Sequence, residues 1–139
     1  MSTKQAGFTL IEILIAIAIV AIIAATTGPY LMGKIQSARI STAKTSLRNI
    51  QAQIDLFNAD TGAYPETLKD LVRRPVNEEI AKNWVTPYIK DEKKLNDPWG
   101  NKYNYQLTPE DAEHPYELSS YGPKGKSSPK AERISVWNL

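Results

Sequence analysis

Few side chains in this 139-residue chain are placed to do chemistry, and the clearest is an acid in an unusual setting. Glu12 lies within residues 8–27, FTLIEILIAIAIVAIIAATT, where it is the only charged residue. About twenty apolar residues are enough to cross a bilayer. A carboxylate inside such a segment is costly and marks function by default. A lone anion there can pair with a cation, and nothing beside it in sequence suggests catalysis. Elsewhere the candidates are thin. There is no cysteine, so disulfides, thiolate metal sites and cysteine nucleophiles are excluded. One histidine, His114, cannot by itself build a histidine metal cluster or a catalytic pair. Asp55 with Asp60, and Glu110 and Asp111 with Glu113, could be proposed as paired acids. Acids near a helix end or in a proline-containing loop are ordinarily solvated surface, and that is how we read them.

The elements that must position Glu12 follow from the pattern around it. A short polar leader, residues 1–7, ends in Gly7 and is followed by Phe8. A cleaved secretory signal would have a more basic start, a shorter apolar stretch and no acid within it. A plain membrane anchor with Glu12 incidental is the other simple reading. Lys4 precedes the span while Lys34, Arg39, Lys44 and Arg48 follow it, so charge alone does not place the N-terminus inside. Long C-terminal domains translocate largely regardless of charge, and the leader pattern places the leader on the inner side.

Gly28-Pro29 follows the span, and a proline without its donor predicts a kink or local melting there. Marking the membrane exit is an equal alternative. Helical periodicity then resumes: Ile40, Ala43, Leu47, Ile50, Ile54 and Phe57 recur at spacings of three and four. One long helix from Phe8 to about Asp60, bent near Pro29 and with Gly62 as its C-cap, is expected. Pro65 opens a short helix through Val72. Residues 73–101 read as loop. Three short β-like runs follow, at residues 102–107, 116–120 and 133–137. A three-stranded antiparallel sheet packed on the helix stripe is the simplest architecture, with Trp84, Trp99 and Trp137 as core residues. Net charge is +2, from 17 basic and 15 acidic side chains, too balanced to argue for nucleic acid.

Several motifs, in order, resemble one family. Gly7-Phe8-Thr9-Leu10-Ile11-Glu12 is similar to the prepilin motif. Asp60-Thr61-Gly62-Ala63-Tyr64-Pro65 looks like that family's D-x-G-x-Y-P. Asp97-Pro98-Trp99-Gly100-Asn101 resembles its DPWGN turn, and Tyr116-Glu117-Leu118-Ser119-Ser120-Tyr121-Gly122 its Y-x-L-x-S-x-G. Together they are similar to the major pseudopilins of type II secretion, within the type IV pilin-like superfamily, across almost the whole chain.

The resemblance implies an α+β, type IV pilin-like fold: one long N-terminal helix, its first half membrane-spanning, on a small three-stranded antiparallel sheet. It divides the chain into a leader (1–7), a transmembrane and assembly helix (8–27), the periplasmic half of that helix (28–62) and a globular αβ-loop and sheet region (63–139). It implies leader cleavage between Gly7 and Phe8 by prepilin peptidase, and N-methylation of Phe8. The freed α-amine is mostly cationic at neutral pH, so Glu12 can pair with Phe8 of a neighbouring subunit. An unpaired Glu12 is penalised, and a subunit is accepted where it completes the pair. Gly28 and Pro29 join Glu12 and Phe8 as assembly residues through a locally extended stretch in the filament. The expected partners are other copies of the chain, minor pseudopilins, the inner-membrane assembly platform and the peptidase. The expected place is the bacterial inner membrane, single-pass, with the C-terminal domain in the periplasm, assembled as a secretion pseudopilus and not as an enzyme. An adhesion, competence or motility pilin is the alternative, and a membrane-anchored periplasmic enzyme or binding domain a weaker one.

The chain departs from that family in its last loop, where the resemblance implies a calcium ion held by acidic side chains and carbonyls. Lys124 and Glu132-Arg133 stand where the family has aspartates. Lys124, Lys126, Lys130 and Arg133 surround one acid, Glu132, a poor setting for an ion that wants six to eight oxygens. No calcium site is expected, and a Lys124–Glu132 bridge is expected to close the loop instead.

Overall fold

The computed structural model describes residues 7–139. The leader residues before Gly7 lie outside the described residues. The chain divides into two compact units, Met1–Ala38 and Arg39–Leu139.

Helix α1, Leu10–Thr61, contributes to both units. Its composition explains its start: Ala, Ile and Leu dominate, with no glycine or proline before Gly28. In the first unit its apolar side chains are uncovered; Leu10, Ile17, Val20 and Ile22 are each at least 61% exposed. The one long helix expected through Gly28-Pro29 is present, without local melting at these residues. α1 is helical through both residues. Proline removes one donor, and neighbouring turns keep the helix continuous at that cost.

The second unit supplies the cover that the stripe requires. Ala43, Leu47, Ile50, Ile54 and Phe57 are the buried residues of α1. α1 ends at Thr61, and Gly62 follows with φ +77°, its N–H donating to the Asn58 carbonyl at 2.8 Å. A positive φ is cheap for glycine, which is why the chain can reverse here into Tyr64-Pro65. The expected helix after Pro65 is a single 3-10 turn, Leu68–Leu71, that buries both of its leucines. Residues 73–101, expected as loop, contain α2, Glu78–Ala81, and a 3-10 turn, Glu92–Leu95.

Three strands form an antiparallel sheet in the order β1-β2-β3: β1 is Asn104–Leu107, β2 Tyr116–Ser120 and β3 Ile134–Ser135. Asn104 faces Ser119, Leu107 faces Tyr116, and Ser120 faces Ile134. The sheet and the turns close on the stripe, and Leu47, Ile54, Phe57, Leu71, Tyr116 and Leu118 are fully buried. Tyr116 centres an aromatic group, with Tyr64, Tyr105 and Trp137 rings 5.2–5.7 Å away. Trp84 and Trp137 pack against this core, each indole N–H donating to a backbone carbonyl, Asp70 at 3.0 Å and Tyr116 at 2.8 Å. Trp99 is half-buried and does not belong to the cluster. Its place is set by the turn that carries it.

Candidate functional site

Three places carry the polar chemistry of the chain: the head of α1, a buried carboxylate behind the turn at residues 97–101, and the loop before β3.

At the head of α1, Thr9 immediately precedes the helix and Glu12 lies in its first turn. The Thr9 N–H and hydroxyl both donate to Glu12 Oε2, at 2.8 and 3.0 Å, and the Glu12 N–H donates to Thr9 Oγ1 at 3.4 Å. This reciprocal arrangement is a capping box. It gives the carboxylate an internal partner and fixes its rotamer. Among the described residues, no hydrogen bond reaches Oε1. The Thr-x-x-Glu spacing ahead of an apolar run was the signal for this box, and reading Glu12 only as an ion-pair partner overlooks it. Phe8 is 84% exposed beside it, and Gly7 precedes it outside any regular element.

Further along, Thr26 Oγ1 donates to the Ile23 carbonyl at 3.0 Å, and the Thr27 hydroxyl donates to the same carbonyl. Hydroxyls that bond back to the preceding turn weaken the ladder. With Gly28 and the donorless Pro29 they make the least reinforced stretch of the apolar segment. Among the described residues, α1 is the one helix long and apolar enough to cross a membrane.

Behind the turn, Asp97 is buried at 5% exposure. Trp99 N–H and Asn101 N–H donate to its Oδ1 at 3.1 and 2.8 Å, and the Ser120 hydroxyl donates to Oδ2 at 2.7 Å. Gly122 N–H donates in turn to Ser120 Oγ at 3.0 Å, with Gly122 at φ +70°. The two motifs 97–101 and 116–122 are thus one hydrogen-bonded latch. A buried carboxylate saturated by donors in this way holds structure together.

In the last loop, Lys124 Nζ lies 2.5 Å from Glu132 Oε2, with the two side chains 64% and 50% exposed. Lys130 pairs with Glu117. The Arg133 guanidinium lies 4.8 Å from the Tyr121 ring centre, and its Nε donates to the Ser128 carbonyl at 3.3 Å. The Lys124 carbonyl accepts from Ser127 Oγ, and the Gly125 carbonyl from Ser128 N–H, both at 2.9 Å. These donors do not fit a calcium ion. The one carboxylate of residues 121–133 is engaged by a lysine, whereas calcium takes six to eight oxygens with carboxylates prominent among them. Among the described residues, no group of three or more His, Cys, Asp or Glu side chains is placed to hold a metal. Nor are the sequence's paired acids assembled for catalysis. Asp60 accepts from the Tyr88 hydroxyl at 2.8 Å. Asp111 Oδ1 accepts from the Glu113 and His114 N–H groups at 3.0 Å each, which holds its carboxyl below the usual range.

A long apolar helix with an acid at its fifth position after glycine, carried into a small antiparallel sheet, defines a pilin-like protein. The family model of the prokaryotic N-terminal methylation motif matches residues 2–28. That of type II secretion system protein G matches residues 30–138. The chain belongs to this family, the major pseudopilins. It is 39% identical over 139 residues to type II secretion system core protein G of Pseudomonas aeruginosa, covering 97% of this chain and 95% of that protein. The protein of the same description from Vibrio cholerae is 34% identical, covering 98% and 94%. Among solved structures, the major pseudopilin of the type 2 secretion system of enterohaemorrhagic Escherichia coli is similar, with TM-score 0.64 and 26% identity, over 78% of this chain and 95% of that one. The family is one of structural secretion proteins. The adhesion, competence or motility pilin is not favoured.

Proposed function

We propose that this chain is an inner-membrane subunit that polymerises through the first part of α1 into the periplasmic pseudopilus of a type II secretion system, and that the polymer drives export of folded proteins. The observation that carries the reading is the uncovered apolar part of α1. Such a surface is stable only in lipid or against other apolar helices. Residues 1–7 are the leader, 8–27 the membrane and assembly segment, 28–62 the periplasmic half of the helix, and 63–139 the globular region. Prepilin peptidase cleaves between Gly7 and Phe8, and Phe8 is N-methylated. Glu12, already oriented by Thr9, offers Oε1 to the Phe8 amine of a neighbouring copy. Gly28 and Pro29 let the helix open as the subunit enters the filament. Minor pseudopilins and the inner-membrane platform are the further partners. In the last loop, Lys124 and Glu132 close the chain where relatives would use calcium. An exposed pair contributes under about 1 kcal/mol, so the Tyr121–Arg133 stack and the Trp137 packing carry much of that closure.

The test is complementation of a strain deleted for this gene, scored separately for membrane insertion, filaments and secreted protein. Glu12→Leu is expected to insert normally, with filaments and secretion both falling well below the native level. Undiminished filament yield from Glu12→Leu overturns the pairing role. A mature N-terminus other than methylated Phe8 overturns the processing.

A further inference from the structure

Between the turns Leu68–Leu71 and Glu92–Leu95 and the start of the sheet lies a cleft of about 630 Å³. Its floor is apolar, built by Leu68, Leu95 and Tyr105, and Lys69, Lys93 and Lys102 stand at its rim. Among the described residues, none of these three lysines has an ion-pair partner. Of the two acids of the same rim, one is neutralised by an arginine and the other keeps its charge, leaving the rim net positive. Glu92 pairs with Arg73 at 2.7 Å, and Glu66 accepts from the Asn77 amide at 3.1 Å. The cleft therefore presents an apolar floor under uncommitted positive charge, a combination suited to an acidic segment with small apolar side chains.

The same unit carries such a segment. The β1–β2 connection, residues 108–115, is folded on itself: Thr108 N–H donates to the Pro115 carbonyl at 2.9 Å, and Asp111 N–H donates to the Thr108 carbonyl at 3.0 Å. Asp111 Oδ1 also accepts the Glu113 and His114 N–H groups. This leaves Glu110 and Glu113 exposed and, among the described residues, without ion-pair partners. Pro109 and Ala112 are exposed beside them. A loop already held in shape loses little freedom on docking.

We propose that the lysine-rimmed cleft receives the acidic β1–β2 loop of a second copy of this chain, which rests on the pseudopilus reading. The two patches differ, so the contact is heterologous and propagates as an open helical polymer instead of closing as a dimer. Exposed complementary charges of this kind fix register and speed encounter more than they add affinity.

The chain's lack of cysteine makes a direct test clean. Glu113→Cys and Lys93→Cys subunits are co-assembled in cells and mildly oxidised. A disulfide-linked dimer that neither variant forms alone is expected. A second arm reverses charge: Glu110→Lys with Glu113→Lys lowers filament yield about fivefold, and adding Lys93→Glu with Lys102→Glu restores it. Mixed filaments without the mixed dimer, or a charge reversal that leaves yield unchanged, overturns this contact and leaves the assembly reading intact. A native chain that makes no filaments in the same cells overturns the assembly reading, and this contact with it.

Discussion

Ser120→Ala removes one oxygen and disconnects two motifs. Ser120 is fully buried, its hydroxyl donates to Asp97 Oδ2 at 2.7 Å, and its oxygen accepts from Gly122 N–H at 3.0 Å. The substitution leaves a buried carboxylate oxygen and a backbone donor without their partner. A hydrogen bond to a charged group contributes about 1.5–3 kcal/mol and a neutral one about 0.5–1.5 kcal/mol, so the expected loss is about 2–4.5 kcal/mol. For a unit the size of Arg39–Leu139, one kcal/mol moves Tm by about 4–8 °C, and a fall of about 10 °C or more follows. The assay is thermal unfolding of the full chain in detergent followed by tryptophan fluorescence, since Trp84, Trp99 and Trp137 all lie in this unit. Ser127→Ala is the control: its exposed hydroxyl donates to the Lys124 carbonyl at 2.9 Å, and its change should stay within about 0.5 kcal/mol. A Ser120→Ala shift no larger than that of Ser127→Ala would refute the reasoning, because Asp97 would then not depend on this donor.

Other perturbations have equally definite outcomes. Adding calcium or a chelator should leave Tm unchanged, whereas Glu132→Gln should lower it by no more than about 1 kcal/mol's worth; a calcium-induced rise of several degrees contradicts the donor set described for the last loop. Tyr88, raised first by burial and then by Asp60, has its phenol pushed up to about 12. Because the folded value is raised, its stabilisation is complete below the ordinary value of 10 and is lost as pH climbs through about 12. Tyr88→Phe should accordingly flatten that part of the alkaline unfolding profile, and an unchanged profile would assign it to other tyrosines. Pro29→Ala, which restores a backbone donor, should raise helicity in micelles and slow filament growth; unaltered growth would remove Gly28-Pro29 from assembly.

Much of the architecture was legible because it rests on long periodic signals. The stripe from Ala43 to Phe57 repeats over four turns, and all five of its buried residues were readable from spacing. The helix stop at Gly62 carries its own chemistry. Short elements were readable only in part: the turn Leu68–Leu71 was expected as a longer helix, and α2 and Glu92–Leu95 were not expected. α2 and the turns Leu68–Leu71 and Glu92–Leu95 have four residues each, too few to show a period. The third strand, expected over residues 133–137, is only Ile134–Ser135, because the Ser135 hydroxyl accepts from Trp137 N–H and starts a 3-10 turn. The turn motif was recognisable, but its reason was not: the expectation settled on Trp99, while the buried group is Asp97. Long-range partners such as Ser120, 23 positions away, leave no local trace. The helix runs on through Pro29, so of the kink or melting expected there no melting is seen. A single proline costs one bond, and the surrounding helix has many.

The ion pair between Lys124 and Glu132 has a consequence for where such a subunit can mature. A metal-closed loop waits on the ion supply of its surroundings, and two oppositely charged side chains arrive already on the same polypeptide. Their weakness is different in kind: dissolved salt screens them over about 8 Å at physiological strength and about 3 Å at 1 M. Brine, and not chelation, is the environment that should loosen this end of the molecule.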